Sequence, residues 1–324
     1  MIEYDIIILT FVLSFLFDII FGELPSLIHP VVIIGSLIDL FKKYAIKIKN
    51  KMSGVIVVAG VCSVSCIILY LIYLISYFNM LIYIVVFIII LSSTFSFKML
   101  VKTASDVKKA LDEDIEKARS LISYLVSRDT TELSESLIVS AAVESLSENI
   151  TDSYVAPVFY YFISAGIVIL LNVNCGLFYI LLVPVLYRVF NTLDAMLGYQ
   201  TDELINIGYV PAKIDDILNY IPARISGIFI VISSFILRYN GSNAFRIMMR
   251  DARNCPSPNS GYTMATTAGA LDIQLVKKDT YILGDNTRVI TADDISKSVR
   301  LTEMTIILFT VTVIVLFILF LRLI

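Results

Sequence analysis

The 324 residues are 58% hydrophobic and 16% charged, with a mean hydropathy of +0.85, which excludes an ordinary soluble domain and points to several membrane spans. A net charge of -3 and a pI ≈ 5.3 exclude the basic surface that nucleic acid requires. Four scattered cysteines and one histidine exclude a disulfide framework and a cysteine or histidine metal cluster, so any metal site must use oxygen ligands, which favours Mg²⁺.

Ile6 to Phe21 is almost wholly apolar, without a basic leader or a cleavage site, and reads as a first transmembrane helix with Asp18 near its inner end. An acid there faces a cavity or a partner, or reaches water at the helix end. Gly22, Pro25, Pro30 and Gly35 then turn the chain along the membrane surface, ahead of a basic stretch from Lys42 to Lys51. Val55–Tyr77 and Leu81–Thr94 are apolar runs parted by three residues, a tight transmembrane hairpin. Ser105 to Tyr124 mixes both charge signs at helical spacing, as a solvated helix face does.

Arg128 to Asp152 concentrates carboxylates and amides. Asp129 and Glu132 have capping-box spacing, which starts a helix at Thr130. On it Leu133, Leu137, Ala141, Glu144 and Glu148 share one stripe, so both carboxylates are expected on the buried face. Two like charges four residues apart need compensation. Either basic side chains and solvent provide it, or Glu144 and Glu148 help to hold Mg²⁺ with Asn149 and Asp152 as further donors.

Tyr154 to Tyr187 is apolar and divided at Asn172–Gly176, with Cys175 in the turn, giving two short spans that Pro157 and Pro184 make irregular. Asn191 and Asp194 follow. Asp215, Asp216 and Asn219 lie one turn apart before Ile225–Leu237, which is too short to span and reads as a re-entrant or interfacial segment. Asn191, Asp194, Asp215 and Asp216 could bind Mg²⁺ or orient a phosphate-bearing substrate. Alternatively, Asn191 and Asp215 cap helices while Asp216 pairs with Lys213 or Arg224. Arg128, Arg224 and Arg253 suit bidentate phosphate or propionate recognition, or anchor the chain at the membrane border. The Pro256–Gly261 loop, with Ser257 and Asn259, offers backbone donors for phosphate, or is simply a rigid turn. No Walker loop occurs, and Met304–Leu321 is a clean final span.

All lysines and arginines except Arg322 fall in four polar segments, 22–54, 98–153, 188–224 and 238–302. The positive-inside rule puts all four in the cytoplasm, with the N-terminus outside and Ile225–Leu237 not crossing. The expected fold is therefore all-α: one polytopic integral membrane domain over 1–324, with helical cytoplasmic segments and a re-entrant segment.

Six blocks carry a resemblance: FGELPSLIHPVVIIG, RDTTEL, AAVESLSENITDSYVAPVFYY, YRVFNTLDAMLGY, KIDDILNYIPARI and CPSPNSGYTMATTAGAL. Together, from about Asp18 to Arg300, they resemble the CobD/CbiB family, the adenosylcobinamide-phosphate synthases of cobalamin biosynthesis. The resemblance implies a multi-pass cell-membrane ligase, whose active site the positive-inside rule turns to the cytoplasm. Using ATP and Mg²⁺, such an enzyme joins the corrinoid adenosylcobyric acid to (R)-1-amino-2-propanol O-2-phosphate through an amide. From their own chemistry Glu144, Glu148, Asp152, Asp215 and Asp216 are the candidate catalytic residues, the last four of them also metal ligands, and the resemblance assigns no catalytic base. Arg128, Asn149, Asn191, Asp194, Asn219, Arg224, Arg253, Ser257 and Asn259 are the candidate substrate-binding residues. Lys213, Ala195, Cys255 and Tyr262 depart from the family's usual Arg, Ser, His and Trp, and none of these changes removes a core carboxylate or amide. Two readings of other classes are a Mg²⁺-dependent membrane transferase acting on a lipid or prenyl diphosphate, and a secondary transporter. Internal repeats and mid-span polar residues would favour the transporter, and the acids here cluster instead in polar blocks.

Overall fold

A computed structural model describes residues 4–48, 50–173, 176–199 and 201–324; Lys49 of the basic stretch and Cys175 of the expected turn lie outside the described residues. The elements in order are α1 (Tyr4–Phe21), α2 (Pro30–Ala45), α3 (Met52–Ser76), α4 (Met80–Ser92), α5 (Phe97–Glu113), α6 (Ile115–Ser123) and α7 (Glu135–Ile150). After a π-helical turn at Thr151–Val155 come α8 (Ala156–Leu170), α9 (Gly176–Leu197), α10 (Tyr209–Leu218), α11 (Tyr220–Ile236), α12 (Gly241–Asp251) and α13 (Ser260–Leu271). A short antiparallel hairpin, β1 (Leu275–Lys277) and β2 (Tyr281–Leu283), precedes α14 (Ala292–Leu323).

Over the described residues the protein is all-α apart from that hairpin. Among the described residues five helical stretches are long and apolar enough to cross a bilayer: Met52–Ser76, Met80–Glu113, Glu135–Leu170, Gly176–Leu197 and Ala292–Leu323. The pair α10 and α11, where a re-entrant segment is expected, passes the same test only when taken together, and it is broken at Asn219.

The chain forms two compact units, each assembled from separate stretches: Met1–Phe97, Ala156–Leu218 and Val313–Ile324 in the first, Lys98–Val155 and Asn219–Thr312 in the second. In the first, α2, α3 and α9 enclose a core of Ile34, Ile38, Val57, Val61, Leu193 and Leu197. The α3–α4 hairpin forms where the apolar runs place it, because Asn79 caps α4 by accepting from Leu81 and Ile82 N–H at 3.0 and 3.2 Å. On α8 Tyr161 buries its ring against Phe11 of α1 and donates its hydroxyl to the Ile7 carbonyl at 2.8 Å.

In the second unit α13 is buried along its length by its small side chains. A Cβ at Gly269 would stand 2.6 Å from the Asn243 carbonyl oxygen, so only glycine lets α13 approach α12 this closely. The helix of the acidic stretch begins at Glu135 and not at Thr130. The reason is local: the Asp129 carboxylate accepts from both the N–H and the hydroxyl of Thr131, at 3.0 and 2.7 Å, and holds an Asx turn in place of a capping box.

Candidate active site

In the second unit Glu144 and Glu148 do not share a burial state: Glu144 is buried and Glu148 is exposed. Arg128 Nη2 lies 2.7 Å from Glu144 Oε2, with side-chain exposures of 14% and 4%. Ser140 Oγ donates to Oε1 at 2.6 Å and the Tyr281 hydroxyl to Oε2 at 2.8 Å. The same groups fix the hairpin: Arg128 Nη1 donates to the Val276 carbonyl at 3.1 Å, and Val276 N–H to Ser140 Oγ at 2.8 Å. Burial, and next the Glu144 carboxylate, push the Tyr281 phenol above its ordinary range, so it remains a donor. Basic compensation is therefore what Glu144 receives, from Arg128, and the same partners hold the β1–β2 hairpin. Three-residue strands carry too little pattern for Tyr281 to be found from sequence.

Along the same helix, Asn149 turns its amide back onto the Ser145 carbonyl at 2.8 Å, and Asp152 lies in the π-helical turn. Arg224 is clasped between two rings, its guanidinium carbon 3.4 Å from the Tyr220 centroid and 4.2 Å from that of Tyr262. It donates to the buried Asn259 Oδ1 at 3.1 Å. Ser257 Oγ receives the Asn259 and Ser260 N–H groups at 3.2 and 3.5 Å, so the loop's serine serves the start of α13. Arg253 is exposed and Asn219 buried at the α10–α11 break. Cys255, at the position where the motif usually has histidine, has its thiol pushed up to about 12 by burial first and Glu148 second.

In the first unit a polar seam begins at the inner end of α1. Asp18 is 2% exposed and accepts from Phe97 N–H at 3.0 Å. It lines a small cleft with Glu23, His29, Ser93, Ser96 and Arg188. Ser96 Oγ donates to Glu23 Oε1 at 3.2 Å. His29 caps α2, its Nδ1 accepting from Val31 N–H at 3.2 Å. Burial holds this imidazole below its ordinary 6.5, with Arg188 acting in the same direction and Glu23 against it.

From the cleft the seam runs along α9. Arg188 Nη1 donates to Asn191 Oδ1 at 3.2 Å, and Asn191 Nδ2 reaches Asp215 Oδ1 at 3.5 Å. Neither Asn191 nor Asp215 caps a helix, since both stand inside one, α9 and α10 respectively. Asp216 pairs with Lys213 at 3.2 Å, and Asp194 follows Asn191 by one turn. Thus Asn191 and Asp215 are brought together, while Glu144, Glu148 and Asp152 belong to the other unit. Arg188 and Glu23 are absent from the sequence candidates, although both stand in the quoted blocks, each a charged residue beside the end of an apolar run.

Among the described residues no three histidine, cysteine or acidic side chains form a group that could hold a metal. Pairs exist: Asp215 with Asp216, and Glu148 with Asp152 one turn apart. Mg²⁺ characteristically takes one or two carboxylates and completes its shell with phosphate oxygens and water. The one-turn spacing of Glu148 and Asp152 suits a pair, whereas Asp215 and Asp216 are adjacent on α10 and diverge, so each suits a single ligand.

The family described as CobD/Cbib protein matches residues 11–302. The chain belongs to the CobD/CbiB family. It is 44% identical over 298 residues to the probable cobalamin biosynthesis protein CobD of Methanothermobacter thermautotrophicus, covering 92% of this chain and 94% of the relative. Cobalamin biosynthesis protein CobD of Dehalococcoides mccartyi is 36% identical over 302 residues, covering 91% and 92%. The Listeria monocytogenes protein of the same name is 33% identical over 315 residues, covering 92% and 94%. No solved structure matches the chain.

Proposed function

We propose that this CobD/CbiB protein is an ATP-dependent ligase of the cell membrane that joins adenosylcobyric acid to (R)-1-amino-2-propanol O-2-phosphate, giving adenosylcobinamide phosphate. The observation that carries the reading is the continuous seam in the first unit, where Arg188, Asn191 and Asp215 are joined by hydrogen bonds next to Asp216. A carboxylate is a poor electrophile, and forming its amide requires the carboxyl oxygen to become a leaving group, for which phosphorylation by a nucleoside triphosphate suffices. Such a site needs cationic and amide donors for phosphate and carboxyl oxygens, and carboxylates for Mg²⁺ or an ammonium group; this seam presents both sets.

Asp215 or Asp216 as a single ligand, or Glu148 with Asp152 as a pair, would hold Mg²⁺, which when bound neutralises phosphate charge. Asn191 orients the Asp215 carboxylate. Arg224 offers a guanidinium whose plane is already fixed by two rings, which suits recognition of a phosphate or propionate. Lys and Arg confinement to four segments supports a cytoplasmic active site, where ATP is available.

The test is nucleotide consumption by the purified full chain in detergent. ATP should be consumed only when the corrinoid acid and the amine are both present, with an amide product of matching mass. Consumption with neither present, or turnover of a prenyl diphosphate, would contradict the proposal.

A further inference from the structure

The cleft at the inner end of α1 contains the chain's single histidine, and its surroundings determine the protonation of that ring. Val31 N–H donates to Nδ1 at 3.2 Å, so Nδ1 presents a lone pair and the proton of the neutral ring must sit on Nε2. Among the described residues that is the only hydrogen bond the imidazole makes, although the side chain is only 9% exposed. The charged groups facing it are Glu23 and Asp18, together with Arg188 from α9; the α4–α5 link contributes only Ser92, Ser93 and Ser96.

A fixed Nε2–H cannot accept a proton, so this histidine is no general base. It is a donor. The narrow, partly open space has room for about one water-sized group, so it suits one oxygen of a ligand and not a whole phosphate. Two carboxylates on its walls also disfavour a resident dianion, whereas a neutral donor suits an oxygen whose charge appears only during reaction.

We propose that His29 is a catalytic residue of the amide-forming step, its Nε2–H holding, beside the Arg188 guanidinium, the acyl oxygen as it gains negative charge. This rests on the ligase reading above. In that step the amine nitrogen's lone pair forms the C–N bond to the acyl phosphate while the C=O π pair moves onto the acyl oxygen. The pair returns as the C–O bond to phosphate breaks, and phosphate leaves with the bonding electrons. The nitrogen gives up a proton, which phosphate carries away, and His29 keeps its own throughout. The burial that holds the ring neutral supports the assignment, because a neutral imidazole at a helix N-terminus polarises a carbonyl without itself changing charge.

The experiment uses the full chain and two readouts. With isotope-labelled histidine the protein has one imidazole signal, and its nitrogen shifts should report a neutral ring protonated at Nε2 at pH 6.5; an Nδ1–H ring or an imidazolium overturns the proposal. The second readout is turnover. His29→Asn keeps a helix cap but lacks the distal donor, and should lower kcat about 10²- to 10³-fold with the amine KM and the unfolding temperature nearly unchanged. His29→Gln places an amide N–H near the Nε2 position and should retain more turnover than His29→Asn. If capping is all that His29 does, His29→Asn will match the wild type and His29→Gln will be the poorer enzyme, which overturns the inference alone. A wild-type protein that forms no amide overturns the ligase reading and the inference with it.

Discussion

Two buried carboxylates, Glu144 in the second unit and Asp18 in the first, meet their surroundings differently. Around Glu144 the protein itself supplies an arginine, a serine and a tyrosine to the two oxygens, and the same partners hold a β-hairpin. Asp18 accepts a backbone N–H and lies on the wall of a cleft, with a histidine and an arginine nearby. The Glu144 carboxylate is closed in by partners that also hold the hairpin, whereas Asp18, itself bonded to a backbone N–H, forms part of a cleft wall. Burial and a nearby arginine are common to both regions, so neither feature alone identifies the working site.

The largest effect expected from this contrast is on stability. Glu144→Gln leaves Arg128 buried without its counter-charge and should cost about 3–5 kcal/mol, read as a fall in the denaturation midpoint. The double replacement Arg128→Met with Glu144→Leu should recover much of that loss; a double variant as unstable as the single one would show that the ion pair is not the source.

A smaller effect is expected where the cation is only partly enclosed. Arg224→Lys keeps the charge but loses the flat contact with Tyr220 and Tyr262, so it should cost about 1 kcal/mol and raise the KM of an anionic substrate. An unchanged KM would remove Arg224 from the binding role.

The smallest effect is at the surface. Arg250, and then Arg246, hold the Asp285 carboxyl below its ordinary 3.8. A depressed acid stabilises the native state fully above its unfolded pKa, and that stabilisation is lost as pH falls through the folded one. The unfolding-temperature gap between wild type and Asp285→Asn should therefore be present at pH 7 and close below about pH 3.8. A gap that widens on acidification would give the wrong sign.

The spans were legible because hydrophobic length is a strong signal: the runs at Val55–Tyr77 and Leu81–Thr94 became α3 and α4 with their boundary at Asn79. The start of α7 was not, since Asp129 satisfies both a capping box on paper and an Asx turn in space. Helical spacing put Glu144 and Glu148 on one stripe, but a helix face is only as buried as what packs on it. The hairpin that covers Glu144 arrives from more than a hundred residues away, and no local pattern announces it. The seam in the first unit is half legible: the side-chain chemistry of Asn191 and Asp215 marks them as candidates, yet their union with Arg188 requires α9 and α10 to pack.

The most direct measurement sets the two carboxylates side by side, using Glu144→Gln and Asp18→Asn proteins assayed for unfolding temperature and for amide formation. Glu144→Gln should lose stability by the amount above, while Asp18→Asn should unfold close to the wild type and lose turnover at least tenfold, as expected for a charge on the wall of a reacting site. An Asp18→Asn protein that turns over normally, with Glu144→Gln fully stable, would contradict the division between a carboxylate that holds the fold and one that lines a reacting cleft.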